Sequence, residues 1–327
     1  MPRERLGEFE FIARLLRPLA AGLPGAEGLG DDTAHLAPPA GHEIVVTSDA
    51  LVCGVHFLAH HPPDLIARKA LRVNVSDLAA AGSRPWTYQL ALALSDDIDD
   101  AWLAAFCDGL AFDQREYGID LCGGDTVSTP GPLTIVVTAL GVVPAGQSLR
   151  RAGAKPGDAV FVSGTIGDGA LGLRASKGEL AGAGGADVAA LAARYLLPQP
   201  RVVLGSRLRG IAGACMDVSD GLIGDLGHIC ARSSVAAAID VERVPLSDPA
   251  RRAIERDAAL LEVAITGGDD YELLFTAPAA GRESIAELSR EIGVPIAEIG
   301  RIEAGEGVTV LRDGEKLALE RASYRHR

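Results

Sequence analysis

Residues 215–222 read CMDVSDGL, an apolar lead-in ending on Asp217, Ser219, Asp220 and a glycine, where a strand is expected to turn into a helix. Looser versions recur as TSD at 47–49 and VSD at 75–77, and GDD stands at 30–32 and again at 268–270. Such clusters can cap a helix by accepting its free N–H groups, and Asp–Gly pairs make turns. Any one of them can be that alone. Taken together, Asp32, Asp49, Asp77, Asp125, Asp217 and Asp220 each end an apolar run or interrupt an apolar helix. A carboxylate placed there needs a partner, because an unpaired buried charge is costly. Nearby cations are few: Lys69 and Arg72 precede Asp77, and Arg150 and Arg151 precede the second half of the chain. Hard oxygen ligands without matching Lys or Arg point to a hard divalent cation, Mg²⁺ above all. Several such sites point further to a polyphosphate, since Mg²⁺ usually binds through carboxylates plus substrate phosphates.

Other nucleotide signatures are sparse. There is no GxxxxGK[ST], HRD or DFG, which excludes a P-loop enzyme and a protein-kinase fold. One GxGxxG spans Gly167–Gly172 after the strand-like AVFVSG, with Asp187 about 20 residues from its start, as in a dinucleotide fingerprint. A lone GxGxxG is a weak signal, and a tight strand-to-helix turn is the preferred reading. No Ser–His–Asp or Cys–His nucleophile stands out. His56, in CGVHF, follows a strand end and could meet a ligand, or could be an ordinary surface or core histidine.

These residues need a scaffold. The 327 residues are 48% hydrophobic and 23% charged, enough for two domains with ample cores. A net charge of −13 argues against nucleic acid or an anionic membrane as partner. MPRERLGEFEFIARLL lacks the apolar core of a signal peptide, and the uncharged 126–149 stretch is broken by prolines and glycines. A cytoplasmic protein with no membrane span is expected. The five cysteines are scattered without CxxC spacing, so reduced thiols are expected rather than disulfides or zinc. The spacing predicts helices over 6–22, 64–82 and 98–118, and strands over 42–49, 86–94, 118–125 and 133–143. PAGQSLRRAGAKPGD (144–158) breaks this rhythm and divides domains of 1–146 and 147–327. Strands are expected at 159–164, 235–242 and 272–278, with helices from 167 and over 187–195, 201–212, 221–232 and 249–262. The mixture makes the fold class α/β or α+β rather than an all-parallel Rossmann sheet.

The motifs GEFEFIARL, GLGDDTA, VVTSDALVCGVHF, ARKALRVNVSDLAAAGSRP, GGDT, PGDAVFVSGTIGDGALGL, MDVSDGL and GGDDYELLF, in that order, resemble the thiamine-monophosphate kinases of the aminoimidazole-ribonucleotide-synthetase-like superfamily. The resemblance runs from about residue 7 to 302. It implies ATP-dependent phosphorylation of thiamine monophosphate to thiamine diphosphate, two α/β domains, and a homodimer paired through the N-terminal domains. The metal ligands it implies are Asp32, Ser48, Asp49, Asp77, Asp125, Asp217 and Asp220, holding several Mg²⁺ ions, with K⁺ a further candidate. It places ATP against Gly124, Asp125, Arg151 and Ser219, and the substrate against His56, Asp269 and the C-terminal aromatic Tyr324. Two residues depart from the family pattern: Asp269 stands where Glu is usual, and Tyr324 where Trp is common. Two rivals remain. Another ATP-using member of the superfamily, such as an aminoimidazole ribonucleotide synthetase or a hydrogenase-maturation protein, would keep the acidic clusters. A non-catalytic binder of nucleotide or thiamine phosphates would lack turnover. Selenophosphate synthetase fits less well, since no cysteine precedes the first GDD.

Overall fold

Alternating apolar and polar residues make 42–52 a half-buried strand, and it opens the first of two structural units. The structure is a computed structural model that describes residues 6–319 and residue 323. One unit comprises the residues up to Leu78 with Ser83–Gly146, the other Ala79–Gly82 with the residues from Gln147 onward. The molecule is therefore a two-domain, mixed α/β protein.

In the first unit, β1 (His42–Val52), β2 (Arg84–Leu94), β3 (Asp120–Ser128) and β4 (Thr134–Pro144) form a sheet in the order β1-β4-β2-β3. The β1–β4 and β4–β2 pairs are antiparallel, and β2–β3 is parallel. That parallel pair requires a crossover, which is the helix α2 (Asp100–Tyr117). Asp99 caps it by accepting the Trp102 N–H at 2.9 Å, and Gly118 closes it in the left-handed conformation. Before it runs α1 (Pro63–Ala80), whose apolar residues Ile66, Ala70, Leu71, Val75 and Leu78 are buried. The two helices approach so closely that a side chain at Gly109 would strike the Asp64 carbonyl. Between them the fully buried Asp113 accepts from Arg68 at 3.0 Å and from Arg72 at 2.6 Å.

The structure revises several sequence expectations. Strand β1 continues through the Ser–Asp pair to Val52, and β3 continues through Gly123–Gly124–Asp125 to Ser128, so neither acid lies in a turn. Full-length pairing with β4 and β2 supplies the hydrogen bonds that local sequence does not reveal. The helix expected over 6–22 is irregular: one regular turn over Glu8–Phe11, a widened π turn over Ile12–Leu16 and a tightened 3₁₀ turn over Arg17–Ala20. Pro18 has no N–H to give the carbonyl four residues back, so the ladder shifts on either side of it.

The second unit holds a seven-stranded sheet. Its strands are β5 (Asp158–Ser163), β6 (Ala214–Asp217), β7 (Ala236–Asp240), β8 (Leu273–Pro278), β9 (Ile296–Glu303), β10 (Gly307–Arg312) and β11 (Glu315–Lys316), in the order β11-β10-β7-β9-β5-β8-β6. Every residue of β5 is buried, as a run without polar alternation requires when both faces are covered. Val160, Val162 and Leu274 pack on one side against Leu222, Leu226 and Ile229; Phe161 and Phe275 stack on the other beside Leu204, Leu208, Ile285 and Leu288. The helices are α3 (Asp168–Ser176), α4 (Gly185–Leu196), α5 (Val202–Arg207), α6 (Leu222–Ser233), α7 (Asp248–Arg256), α8 (Leu260–Thr266) and α9 (Arg282–Ile292). The single helix expected over 249–262 is two, because Asp257 leaves the helical region and its carboxylate accepts the Ala259 N–H. The helix expected over 201–212 ends at Arg207.

His61, in the loop before α1, is 5% exposed and accepts the Leu58 N–H on Nδ1 at 3.2 Å. Burial first, then His60 and Lys69, hold its pKa down to about 4. The fold thus prefers neutral imidazole, and this contribution to stability is full above about pH 6.5 and is lost as pH falls toward 4. Thermal melts between pH 7 and 4 should show a shallower acid loss in His61→Gln than in the parent, by on the order of 1 kcal/mol across the window.

Candidate active site

The first unit places its candidate residues on two faces of one sheet. On the open face lies a cavity of about 860 Å³ lined by Asp31, Asp32, Gln89, Gly124, Asp125 and Thr138, among others. Among the described residues, its charged lining is Glu8, Asp31, Asp32 and Asp125, with no Lys or Arg. Asp125 is exposed on β3 opposite Ala91, while Gly124 presses on β2: a Cβ there would meet the Leu90 carbonyl oxygen at 1.8 Å. Only glycine allows β3 to run this close and so sets Asp125 on the cavity floor. Ser48 shares the open face and its Oγ lies 2.9 Å from Thr138 Oγ1. Three strand spacings separate β1 from β3, roughly 14 Å along a flat sheet, too far for Ser48 and Asp125 to share one ion.

Asp49 alternates to the opposite face, the one that meets α1. There Thr47 Oγ1 donates a short hydrogen bond to Asp77. Arg72, a cation close to Asp77 in sequence, is committed to Asp113, and Lys69 is buried at 1% exposure. Asp49 and Asp77 thus lie on the helix-covered face, Asp32 and Asp125 line the cavity, and Ser48 stands on the open face apart from Asp125. His56 is half-buried in the loop after β1, and its Nδ1 accepts the Val52 N–H at 3.0 Å, leaving Nε2 as the protonated nitrogen.

In the second unit three turns meet. Asp217 ends β6 and is 2% exposed; Ser219 and Asp220 follow, half-buried. The 267–272 stretch lies alongside, with Asp269 N–H donating to the Ser219 carbonyl at 2.9 Å and Tyr271 N–H to the Val218 carbonyl at 2.8 Å. A side chain at Gly268 would strike the Ser219 carbonyl oxygen. Asp269 and Tyr271 both sit at positive φ, so this turn is strained where it presents its acid. Asp269 also helps push the Tyr195 phenol above its usual range, after burial itself. The third turn is the GxGxxG stretch opening α3. Its Gly167 and Gly169 N–H groups donate to the buried Asp270 carboxylate at 2.7 and 2.9 Å. A protein carboxylate thus fills the position a dinucleotide phosphate would take, which disfavours the fingerprint reading.

Arg151 lies apart from these turns. Cys215 at the start of β6 donates to the Arg150 carbonyl, and Ser233 at the end of α6 donates to the Arg151 carbonyl. Its backbone is therefore at the opposite end of β6 and α6 from Ser219. Tyr324 lies outside the described residues. Buried acids beside these turns that were not sequence candidates include Asp225, which accepts three N–H groups from the 219–221 turn, Asp270, and Glu272, which holds Arg194 and Arg201. Asp225 carried the same signal as Asp77, an acid set among apolar residues of a helix.

Among the described residues no three His, Cys, Asp or Glu side chains are gathered as a ready metal cluster. The donor set nevertheless suits Mg²⁺, which takes one or two carboxylates and completes its shell with water and phosphate oxygens.

The AIR synthase related protein family is matched twice, its N-terminal domain by residues 30–143 and its C-terminal domain by residues 155–313. A thiamine-monophosphate kinase from Caulobacter vibrioides is 44% identical over 322 residues, 98% of this chain and 90% of the relative. The chain belongs to the thiamine-monophosphate kinase family. The crystal structure of the Stenotrophomonas maltophilia K279a thiamine-monophosphate kinase, 47% identical, superposes with a TM-score of 0.81 over 88% of this chain and 91% of that one. AaThiL complexed with AMPPCP and TMP, 32% identical, gives 0.77 over 99% of both chains. As a thiamine-monophosphate kinase family member, the chain carries oxygen donors on β1, α1, β3 and the β6–α6 turn. No described helix is long and apolar enough to cross a membrane.

Proposed function

We propose that this protein transfers the γ-phosphoryl group of ATP to thiamine monophosphate, giving thiamine diphosphate and ADP, in one Mg²⁺-dependent in-line step. An oxygen of the substrate phosphate attacks the γ-phosphorus; the bond to the β-bridging oxygen breaks, and ADP leaves with that electron pair. The attacking oxygen is already largely anionic near pH 7, because the second pKa of a phosphate ester is about 6. No general base is needed, in keeping with the lack of an evident base beside the acidic residues. The obstacle is repulsion between two anions in an acid-lined cavity. The observation that supports the reading most is that cavity, which carries Asp31, Asp32 and Asp125 and, among the described residues, no cation. Bound there, Mg²⁺ would join carboxylate to phosphate, cancel the repulsion and stabilise charge on the transferring group.

Asp32, Asp49, Asp77, Asp125, Asp217 and Asp220, with Ser48, are the residues proposed to hold the ions. Gly124, Asp125, Arg151 and Ser219 are assigned to ATP, and His56, Asp269 and Tyr324 to the substrate. Asp269 is one methylene shorter than glutamate, which shortens its reach toward a substrate group. A coupled ADP-release assay with and without thiamine monophosphate tests the reading: stimulation by this substrate that vanishes with EDTA is expected. Stimulation by a different metabolite would reassign the substrate, and nucleotide binding without turnover would leave only a binder.

A homodimer paired through the first unit belongs to the same proposal. On the edge strand β1, Ile44 is 38% exposed and Val46 60%, and Val127 on β3 is 51% exposed. An uncovered apolar face ending in an open strand edge suits a second copy. Val46→Glu should weaken dimerisation at least ~10-fold, read by sedimentation velocity across a concentration series.

A further inference from the structure

We propose that Asp225 is the positioning residue of the site turn, fixing the backbone from which Ser219 and Asp220 reach nucleotide and metal; this rests on the kinase reading above. Asp225 lies one turn into α6 and is 1% exposed. Its Oδ2 accepts the N–H groups of Ser219 at 3.0 Å, Asp220 at 3.1 Å and Gly221 at 3.1 Å. In a capping box, an acid at the third helical position returns one bond to the cap residue. Here the acid is one position further in and collects three successive amides, two of them upstream of the helix cap.

Three N–H groups converging on one point form a concavity that binds anions. The chain fills it with its own carboxylate, so this concavity is not where a phosphate sits. What remains for a ligand is the outer side of the turn, where Ser219 and Asp220 are half-buried. The 267–272 stretch fixes the same segment from the other direction, through Asp269 N–H to the Ser219 carbonyl. Gly221, at φ 118°, closes the turn, and a side chain there would strike the Thr266 carbonyl. The turn is thereby held on its inner side by one side chain, and removing that side chain frees three amides at once.

The test compares Asp225→Asn, which keeps an acceptor oxygen of the same shape, with Asp225→Leu, which keeps the volume and removes the acceptor. Asp225→Leu should raise KM for ATP and the Mg²⁺ concentration for half-maximal rate at least ~10-fold, while Asp225→Asn stays within ~3-fold of the parent. If Asp225→Leu keeps parental kinetics, Asp225 merely fills space and the proposal is overturned. Hydrogen exchange supplies a readout independent of turnover: protection at Ser219, Asp220 and Gly221 should fall at least ~10-fold in Asp225→Leu and persist in Asp225→Asn. A parent chain without substrate-stimulated ADP release would refute the kinase reading, and the exchange comparison would still decide the role of Asp225. Unchanged protection in Asp225→Leu would overturn it.

Discussion

Asp125→Asn is expected to lower kcat/KM for thiamine-monophosphate phosphorylation by at least ~10², about 2.7 kcal/mol of transition-state stabilisation. The substitution keeps the shape and removes the charge, so it isolates the electrostatic role. Asp125 is exposed on the sheet's open face, and its main-chain pairing with Ala91 does not depend on its side chain. The carboxylate does accept the Thr126 N–H at 2.8 Å, a bond an amide oxygen can also accept. Folding should therefore survive. In the proposed mechanism this carboxylate is one of the acids that bring a cation to ATP, and neutralising it leaves phosphate facing Asp31, Asp32 and Glu8 alone. Steady-state ADP release at several Mg²⁺ concentrations measures the effect. Parental kinetics in the folded variant would remove Asp125 from the site.

A second large effect is expected on stability. Glu272→Ala should destabilise the protein by about 3 kcal/mol, because it removes the buried acceptor of Ser163 and the counter-charge of the part-buried Arg201, and leaves Arg194 only Asp168 at 3.8 Å. Glu272 is 0% exposed and accepts from Ser163 Oγ at 2.6 Å, from Arg201 at 2.6 Å and from Arg194 at 3.0 Å. A loss of this size is a large part of the ~5–15 kcal/mol that holds a domain folded. Urea denaturation reads it directly. The double variant Glu272→Ala/Arg201→Ala should lose less than the sum of the single variants, since the second change removes one of the stranded charges. Additive losses would show that the cluster does not act as a unit. The arrangement also bears on the site, because Glu272 closes the 267–272 stretch that carries Asp269.

Helices α1, α2 and α6 were legible because their apolar spacing, and for α1 and α2 the stops at Gly82 and Gly118, are local. The second-unit strands at 159–164 and 272–278 were legible as unbroken apolar runs. The acids were legible too, as carboxylates on apolar ground with few cations in sequence reach. Placement was not. Periodicity alone does not say that β1 continues past Asp49, or that Ser48 and Asp49 face opposite sides of one sheet, since pairing partners lie some 90 residues away. Nor could it show that Arg72 is taken by Asp113, 41 residues later.

The sequence by itself thus determined the chemistry available: hard oxygen donors, no nucleophile dyad, an acidic chain with two mixed α/β halves. The tertiary structure decided which acids serve the turns and which remain for a ligand. Asp225 and Asp270 are spent on backbone N–H groups, while Asp32 and Asp125 line an open cavity. The physical reason is that a carboxylate's role depends on which donors surround it, and those donors come from segments distant in the chain.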